Sequence, residues 1–382
     1  MSRKINIAAI QMDANPASIS DRLQRAERLV VQAVQTGAQL VVLPEIFNTG
    51  YGYTDENFYR AEPITGQTVT WLKEMAIQHH IHLAGSLMLL DEPEIYNALL
   101  LFAPDGRMWR YDKNYPWGWE RGYFRGKKGI TVAKTELGDI GLMICWDVAH
   151  PHLWRQYAGQ IDLMIVSSCP PDVTNPTFVF PKGKQVTFDD FGKVGTSLKG
   201  SGRLLFGEMV NQQTAWLGVP AIQTVGTGHI RTAIPSGLLS LLSYIPVAPK
   251  LVKHLPQANN MQLKCGFVQG CKIVDGWGEV QTELEQVQGE TYTIAEVTIP
   301  DKKPRPNSPQ PKSLLPKIAY FSSDILLPLL MLPVYHRGRY QVFGKKTTPR
   351  PYIWRFVTII SIFLFCLWLT AYFRGHQKSA QQ

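Results

Sequence analysis

The sequence lacks the cysteine pattern of a disulfide-stapled or zinc-binding protein. Its 382 residues contain 5 cysteines, and none of them forms a Cys-x-x-Cys pair. Irregularly spaced cysteines in a chain of this length exclude a disulfide framework. Structural zinc sites use closely spaced Cys and His ligands, so we predict no metal.

The first 300 residues lack an excess of positive charge. They carry 26 Lys and Arg against 28 Asp and Glu, a net of −2. Residues 301–382 carry 13 against 2, a net of +11. A nucleic-acid-binding domain presents a basic face of its own, so this distribution argues against a nucleic-acid partner.

Long apolar runs are missing at the N-terminus and present near the C-terminus. The opening MSRKINIAAIQMD turns polar too soon for a signal peptide and predicts a strand. Residues 356–373 form a run of 18 uncharged positions with aromatic residues toward both ends. A run of this length spans a bilayer. We therefore predict a transmembrane helix over 353–373 and a short tail over 374–382.

The basic residues around this run predict its orientation. Six Lys and Arg precede it, at positions 337, 339, 345, 346, 350 and 355, and two follow it, at 374 and 378. By the positive-inside tendency, the N-terminal domain faces the cytoplasm on a single-pass C-terminal anchor. The basic flank also predicts attraction to anionic membrane lipid.

A linker with a short apolar segment is expected over residues 301–352. Its first part, DKKPRPNSPQPKSLLPK, is rich in Pro and Lys and predicts an extended chain. Residues 321–335 are apolar but short, and Pro328 and Pro333 interrupt them. We expect this segment to lie at the membrane interface or to re-enter the membrane, not to span it.

Residues 1–300 alternate apolar strand patterns with amphipathic helix patterns, which predicts a layered α/β domain that ends near Ile299. Helices are predicted over 20–36 and 68–80, and a hairpin turn at Asp105-Gly106. Strands are predicted over 4–12, 38–45, 81–89, 140–147 and 162–170, with further strands in TAWLGVPAIQT (214–224) and CKIVDGWGEVQTE (271–283).

Three reactive side chains each follow a predicted strand: Glu45, Lys113 and Cys145. A thiol attacks as the thiolate and needs a base or a positive field nearby. His150 and His152 are one source of a base, but they follow Cys145 only through a turn. A carboxylate that accepts the proton and a lysine that stabilises the resulting anion do the same work. Taken singly, each residue also fits an ordinary structural role: Cys145 as a core thiol, Glu45 as a solvated turn residue and Lys113 as a surface lysine.

The stretches that carry these residues resemble a known family. VVLPEIF, RYDKNYPWGWERGYFRGKKG and GDIGLMICWD, in this order, resemble the nitrilase superfamily of carbon–nitrogen hydrolases. The resemblance covers residues 4–299. It implies a four-layer αββα sandwich, an assembly as a homodimer or higher homo-oligomer, and catalysis without a metal or organic cofactor.

The resemblance also implies a role for each residue of a Glu-Lys-Cys triad. Glu45 matches the general base, Lys113 the group that stabilises the tetrahedral intermediate, and Cys145 the nucleophile. Glu120 matches a second glutamate that helps to orient the lysine and the substrate. A backbone N–H near Trp146 is expected to share in holding the developing anion.

The sequence departs from the family in the regions that shape specificity. Residues 170–206 and 226–264 match poorly, so the family's substrates do not carry over. The apolar stretch 234–249 has three interpretations: a core element, a second membrane-touching loop or a lipophilic wall of the substrate pocket. The CWD that begins at Cys145 favours an amide over a nitrile as the substrate.

Together these features predict a membrane-anchored hydrolase that cleaves a non-peptide amide through a Cys145 thioester. The expected substrate is a small-molecule or lipid-like amide, because a soluble substrate gives no reason for an anchor. Three alternatives stay open: an N-acyltransferase that uses the same thioester, a nitrile hydrolase, and a catalytically inactive scaffold.

Overall fold

The structure is a computed structural model that describes residues 3–173, 176–192, 195–196, 199–246, 248–306 and 309–344. The predicted transmembrane helix over 353–373 and the tail over 374–382 lie outside the described residues.

Strands and helices alternate over residues 3–91, and after them several strands follow one another between the helices. The strands are β1 (Arg3–Asp13), β2 (Leu40–Val42), β3 (Glu62–Pro63), β4 (His82–Asp91), β5 (Glu94–Phe102), β6 (Met108–Asp112), β7 (Val132–Thr135), β8 (Gly138–Ile144), β9 (Leu163–Ser167), β10 (Thr177–Val179), β11 (Gln185–Thr187), β12 (Ala221–Gln223), β13 (Gly226–Thr227), β14 (Ile230–Ala233), β15 (Gln262–Cys265), β16 (Cys271–Val274), β17 (Val280–Leu284) and β18 (Thr291–Ile299). The helices are α1 (Ile19–Gln35), α2 (Glu56–Arg60), α3 (Gln67–Gln78), α4 (Pro151–Tyr157), α5 (Val210–Leu217), α6 (Gly237–Tyr244) and α7 (Lys317–Phe343).

Alternation along β1 shows why the domain is layered. Ile7 and Ala9 belong to the core between two sheets, whereas Ala8 and Ile10 belong to the core under α1 and α3. Successive side chains of a strand point to opposite faces, so an apolar residue at every position requires both faces to be covered.

Two sheets form the centre of the domain. The first has the order β13-β1-β2-β4-β5-β6, with β18 also paired to β1 and β3 to β4; the second has the order β17-β16-β12-β9-β8-β7. Helices α1 and α3 cover the outer face of the first sheet, and α4 and α5 cover the second. The predicted four-layer αββα sandwich is confirmed.

The prediction of a strand in 214–224 is wrong for its first half. Residues up to Leu217 continue α5, and the strand β12 begins only at Ala221. Gly218 separates the two with a left-handed φ of 73°, a conformation that ends helices. A short apolar run fits a buried helix as well as a strand, so periodicity alone does not distinguish them.

The poorly matching segments build a third, smaller sheet beside the sandwich. Its order is β11-β10-β15-β14, and α6 packs near it within the stretch 234–249. The aromatic and aliphatic side chains of this layer share one apolar cluster with α7.

The segment over 321–335 is not interrupted by its prolines, contrary to our expectation. It lies within α7, which runs through a π-helical turn at Phe321–Leu326 and continues as an α-helix past Pro333. Pro328 stands at the start of that α-helical stretch, a position that tolerates a missing N–H. Among the described residues, α7 is the one helix long and apolar enough to cross a membrane. It nevertheless buries Met331 and Tyr335 against the rest of the described domain.

The described part of the linker before α7 forms no helix or strand and contacts the domain. The side chain of Gln310 donates to the Pro151 carbonyl at 2.7 Å and to Gln213 Oε1 at 3.0 Å, which joins α4 to α5. Leu315 is buried in the core that includes the second sheet. The linker thus brings α7 to the edge where β8 ends.

Candidate active site

Glu45 lies three residues beyond β2 and is buried, with a relative exposure of 1%. Its Oε1 accepts hydrogen bonds from Asn97 Nδ2 and from Lys113 Nζ, both at 2.7 Å. Its Oε2 accepts from the backbone N–H of Cys169 at 3.1 Å. These donors hold the carboxylate in one orientation.

Lys113 directly follows β6, and its side chain is fully buried between two carboxylates. Nζ lies 2.7 Å from Glu45 Oε1 and 2.6 Å from Glu120 Oε2. Burial alone lowers the pKa of Lys113, but the charges of Glu120 and Glu45 outweigh it and raise the pKa well above its usual value. An ammonium has three donors, so one N–H remains for a substrate oxygen.

Glu120 lies in a 3₁₀ turn over Gly118–Gly122 and bridges Lys113 to a tyrosine. Its Oε2 also accepts from the Trp117 backbone N–H at 2.8 Å, and its Oε1 accepts from the Tyr51 hydroxyl. Burial raises the pKa of Glu120, and the positive charge of Lys113 opposes that shift. The structure therefore places Glu120 beside the lysine.

Cys145 ends β8 and begins a second 3₁₀ turn, Cys145–Ala149. Its φ of 46° lies in the left-handed region, which is uncommon for residues other than glycine. Burial, followed by the charge of Glu45, raises the pKa of the Cys145 thiol well above its usual value, and Lys113 opposes this. A thiol whose pKa is raised needs a base that accepts its proton before the sulfur can attack.

His150 is engaged away from the nucleophile. Its Nε2 lies 3.0 Å from Asp324 Oδ2, and its Nδ1 lies 3.2 Å from the Trp146 carbonyl oxygen. His152 Nε2 lies 3.1 Å from the Tyr115 hydroxyl. The alternative in which a histidine activates Cys145 thus gains no support from these contacts.

A cavity of about 530 Å³ lies next to Cys145 and Glu120. Its volume is within the ordinary range for small-molecule pockets. Most of its lining is apolar and comes from the two poorly matching segments and from α7. The lining includes Trp117, Trp119, Trp146, Val173, Phe178, Phe188, Leu205, Phe206, Tyr244, Pro246, Ile318, Phe321, Ile325 and Leu329.

Two of the interpretations of 234–249 hold together. Leu241 and Ala248 are buried in an apolar cluster, as a core element requires, and Ser243, Tyr244 and Pro246 line the cavity. Contact of this stretch with a membrane stays a prediction. Sequence reasoning missed Asp324, which accepts from Trp146 Nε1 at 2.7 Å. The signal was present: Asp324 is the one acidic residue in an otherwise apolar segment, where an ionisable side chain commonly marks a functional position.

The sequence of the chain is similar to the sequences of known proteins. Residues 6–185 match the profile of the carbon-nitrogen hydrolase family. The chain is similar to a nitrilase of Pyrococcus abyssi, with 31% identity over 158 residues, 40% of this chain and 60% of the relative. It is similar to an omega-amidase of Xenopus laevis, with 31% identity over 173 residues, 41% of this chain and 60% of the relative. The chain thus spans about 60% of the length of these curated relatives.

The fold has solved relatives as well. The crystal structure of Saccharomyces cerevisiae Nit3, a member of the nitrilase superfamily, superposes with a TM-score of 0.56 at 20% identity. The likeness covers 77% of this chain and 90% of that chain. At this identity it shows the shared fold alone.

Proposed function

We propose that the chain, whose residues 6–185 match the carbon–nitrogen hydrolase family, cleaves a non-peptide amide through a thioester on Cys145. One observation carries the proposal: Glu45, Lys113 and Glu120 form a buried, hydrogen-bonded network whose charges act on the Cys145 sulfur. Perturbed ionisable groups beside a cavity are typical of catalytic sites.

Acylation begins when the Glu45 carboxylate accepts the thiol proton of Cys145. The sulfur attacks the carbonyl carbon, and the electron pair of the C=O bond moves to oxygen. The remaining N–H of Lys113 and the backbone N–H of Trp146 stabilise this oxyanion. The C–N bond then breaks as Glu45 returns the proton to nitrogen, and ammonia or an amine leaves.

Deacylation repeats the same steps with water. Glu45 accepts a proton from water, and the hydroxide oxygen attacks the thioester carbon. The C–S bond breaks, the thiolate recovers the proton, and a carboxylic acid leaves. The sum is amide plus water giving acid plus amine.

The cavity supports an acyl group that is lipophilic. Most of the side chains that line the cavity beside Cys145 are aliphatic or aromatic. Burial of a methylene is worth about 0.8 kcal/mol, so each carbon of a chain inside the cavity adds to binding. The substrate class is therefore an amide with a hydrocarbon acyl chain.

The membrane supplies such substrates. Ile318, Phe321 and Ile325 both line the cavity and are about half exposed, so one edge of the pocket is an apolar stripe of α7. Together with the predicted transmembrane helix over 353–373, this stripe supports a single-pass anchored protein that takes its amide from the bilayer. The basic residues before that helix support a catalytic domain on the cytoplasmic side.

Acyl transfer to an amine is the second candidate, and the apolar lining favours it. A pocket with few polar groups holds water poorly, so the thioester persists until an amine nucleophile arrives. The chemistry differs from hydrolysis only in the second step, in which the amine nitrogen replaces the water oxygen.

The test uses primary amides of straight-chain fatty acids, with intact-protein mass spectrometry and ammonia release as readouts. We expect a one-acyl mass increase on the wild type and none on Cys145→Ala. We expect kcat/KM to rise about fourfold per methylene until the cavity is full. An adduct that decays in water indicates a hydrolase, and one that awaits an added amine indicates a transferase.

A matched variant checks the role of the cavity. Ser243→Phe places a ring in the space that Ser243 now lines, so we expect the preferred chain to shorten. The absence of an adduct with every amide, together with an unreactive Cys145, supports the inactive scaffold instead.

A further inference from the structure

Helix α7 brings a carboxylate to the turn that carries the nucleophile. Asp324 lies in the π-helical part of α7, and its side chain is 17% exposed. Its Oδ1 accepts from Trp146 Nε1 at 2.7 Å, and its Oδ2 lies 3.0 Å from His150 Nε2. This helix lies outside the residues 6–185 that match the family profile.

The contacts of Asp324 close a ring around Trp146. His150 Nδ1 lies 3.2 Å from the Trp146 carbonyl oxygen, while its Nε2 faces Asp324. The ring therefore passes from the Trp146 indole through Asp324 and His150 back to the Trp146 backbone. Hydrogen bonds therefore hold both the side chain and the backbone carbonyl of Trp146, the residue after Cys145.

Two further contacts hold the same turn. The ring of Tyr115 stacks on His150 with centroids 3.7 Å apart. The hydroxyl of Tyr320, also on α7, donates to the carbonyl of Ala149, where the turn ends. The helix thus contacts the turn through two of its own residues.

The turn needs such support because Cys145 holds a left-handed backbone conformation. A conformation of this kind in a residue with a Cβ costs of order 1–3 kcal/mol and persists only where its surroundings enforce it. The proposed oxyanion donor is the N–H of the next residue, Trp146. A donor of this kind works only when it is held in place before the reaction.

Docking of α7 does not depend on Asp324 alone. Arg337 donates to both oxygens of Asp55 at 2.7 and 2.8 Å, and Arg339 donates to Glu94 at 2.8 Å. Met331 is fully buried. These contacts attach the second half of the helix to the domain without Asp324. The contacts of Asp324 are instead with the turn that begins at Cys145.

We propose that Asp324 is a positioning residue: through Trp146 and His150 it fixes the backbone N–H that receives the oxyanion beside Cys145. The proposal rests on the proposed function for its kinetic test. It makes α7, which also lines the cavity, a part of the active site.

The kinetic test compares three variants on one short and one long fatty amide. Asp324→Ala opens the ring, and we expect kcat to fall about 10–100-fold for both amides, with KM changed less than about twofold. Asp324→Asn keeps the ring, because its amide oxygen accepts from Trp146 and its NH₂ donates to a neutral His150. We therefore expect it to retain most of kcat. Asp55→Ala removes an ion pair from the far end of α7 and is the matched control, with kcat close to that of the wild type.

A second readout does not need a substrate. The rate of Cys145 alkylation by iodoacetamide, followed by mass spectrometry, reports how the sulfur is held relative to Glu45. We expect slower alkylation in Asp324→Ala and a wild-type rate in Asp55→Ala. The alkylation rates can be compared even when no amide is turned over. A lack of amide turnover counts against the proposed function and not against the positioning role of Asp324.

Three results overturn the proposal. The first is a wild-type kcat and alkylation rate in Asp324→Ala. The second is an equal loss in Asp55→Ala, which assigns the effect to helix docking. The third is an Asp324→Asn variant as impaired as Asp324→Ala, which rules out the hydrogen-bonded ring.

Discussion

At Cys145, the neighbours that make the thiol a weaker acid include the carboxylate that we propose as its base. Burial and the negative charge of Glu45 both raise the pKa of the thiol, while Lys113 lowers it. A thiol with a raised pKa reacts only when a base accepts its proton, which is the role that we propose for Glu45.

Replacement of Glu45 by glutamine separates the acidity of the Cys145 thiol from the rate of amide turnover. Glu45→Gln removes a negative charge that raises the pKa of Cys145 but leaves Lys113 in place. We expect the thiolate to form at a lower pH than in the wild type, because the charge that opposed ionisation is gone. We expect amide turnover to fall about 10²–10⁴-fold, because the base is lost. The thiolate is followed by ultraviolet absorbance against pH, as the difference from a matched Cys145→Ala protein.

The control for this variant is Glu62→Gln. Glu62 is a buried carboxylate that accepts hydrogen bonds from Asn48 Nδ2 and from the Thr68 backbone N–H. Its hydrogen-bond partners therefore differ from those of Glu45. A thiolate that forms at the same pH in Glu45→Gln and in the wild type contradicts the close coupling of Glu45 and Cys145.

At the scale of the elements, glycines bring α7 close to the catalytic domain. A Cβ at Gly118 would lie 3.1 Å from Leu327 of α7, and a Cβ at Gly338 of α7 would overlap the ring of Phe58. Phe58 belongs to α2 and is 2% exposed. At each of these two contacts, one of the two facing residues has no side chain.

The variant Gly338→Ala tests this packing. The added methyl group overlaps the buried Phe58 ring, so the helix or the ring must move. We expect the free energy of unfolding to fall by about 1–3 kcal/mol, measured by urea unfolding in mild detergent. Gly207→Ala is the control, because a Cβ there meets nothing within 4 Å. An equal loss in both variants contradicts the assigned contact.

The sequence predicted that Glu45, Lys113 and Glu120 lie together better than it predicted the pocket beside them. Glu45, Lys113 and Cys145 each follow a strand, and strand ends at one edge of a sandwich place such residues together. The wall of the cavity depends on tertiary packing. The apolar composition of residues 321–335 fits a bilayer and a protein pocket equally well, and the contact between Asp324 and Trp146 spans 178 positions. No local pattern specifies a contact of that kind.

At the scale of the whole molecule, the described structure places the active site next to the segment that leads to the predicted anchor. Oligomerisation stays a prediction. The linker residues around Gln310 lie on α4 and α5, close to the nucleophile. A dimer formed through those helices therefore includes the linker in its interface.

Membrane association is tested by flotation with lipid vesicles. We expect the full chain to float with both neutral and anionic vesicles, and more completely with anionic ones, because each basic residue near the surface adds about 1 kcal/mol. A chain that ends at Gly344 retains α7 but loses residues 353–373, so we expect it to stay largely in the soluble fraction. A full-length chain that does not float contradicts the predicted anchor.

The short distance between α7 and the predicted anchor also limits the region in which the domain can meet its proposed substrate. Only residues 344–352 separate the end of α7 from position 353. Nine residues reach at most about 30 Å when fully extended. With the predicted anchor in a bilayer, this length confines the domain to a thin layer beside the membrane. The rate at which the domain meets the proposed amides would then depend on their density in the membrane and not on their concentration in the surrounding water.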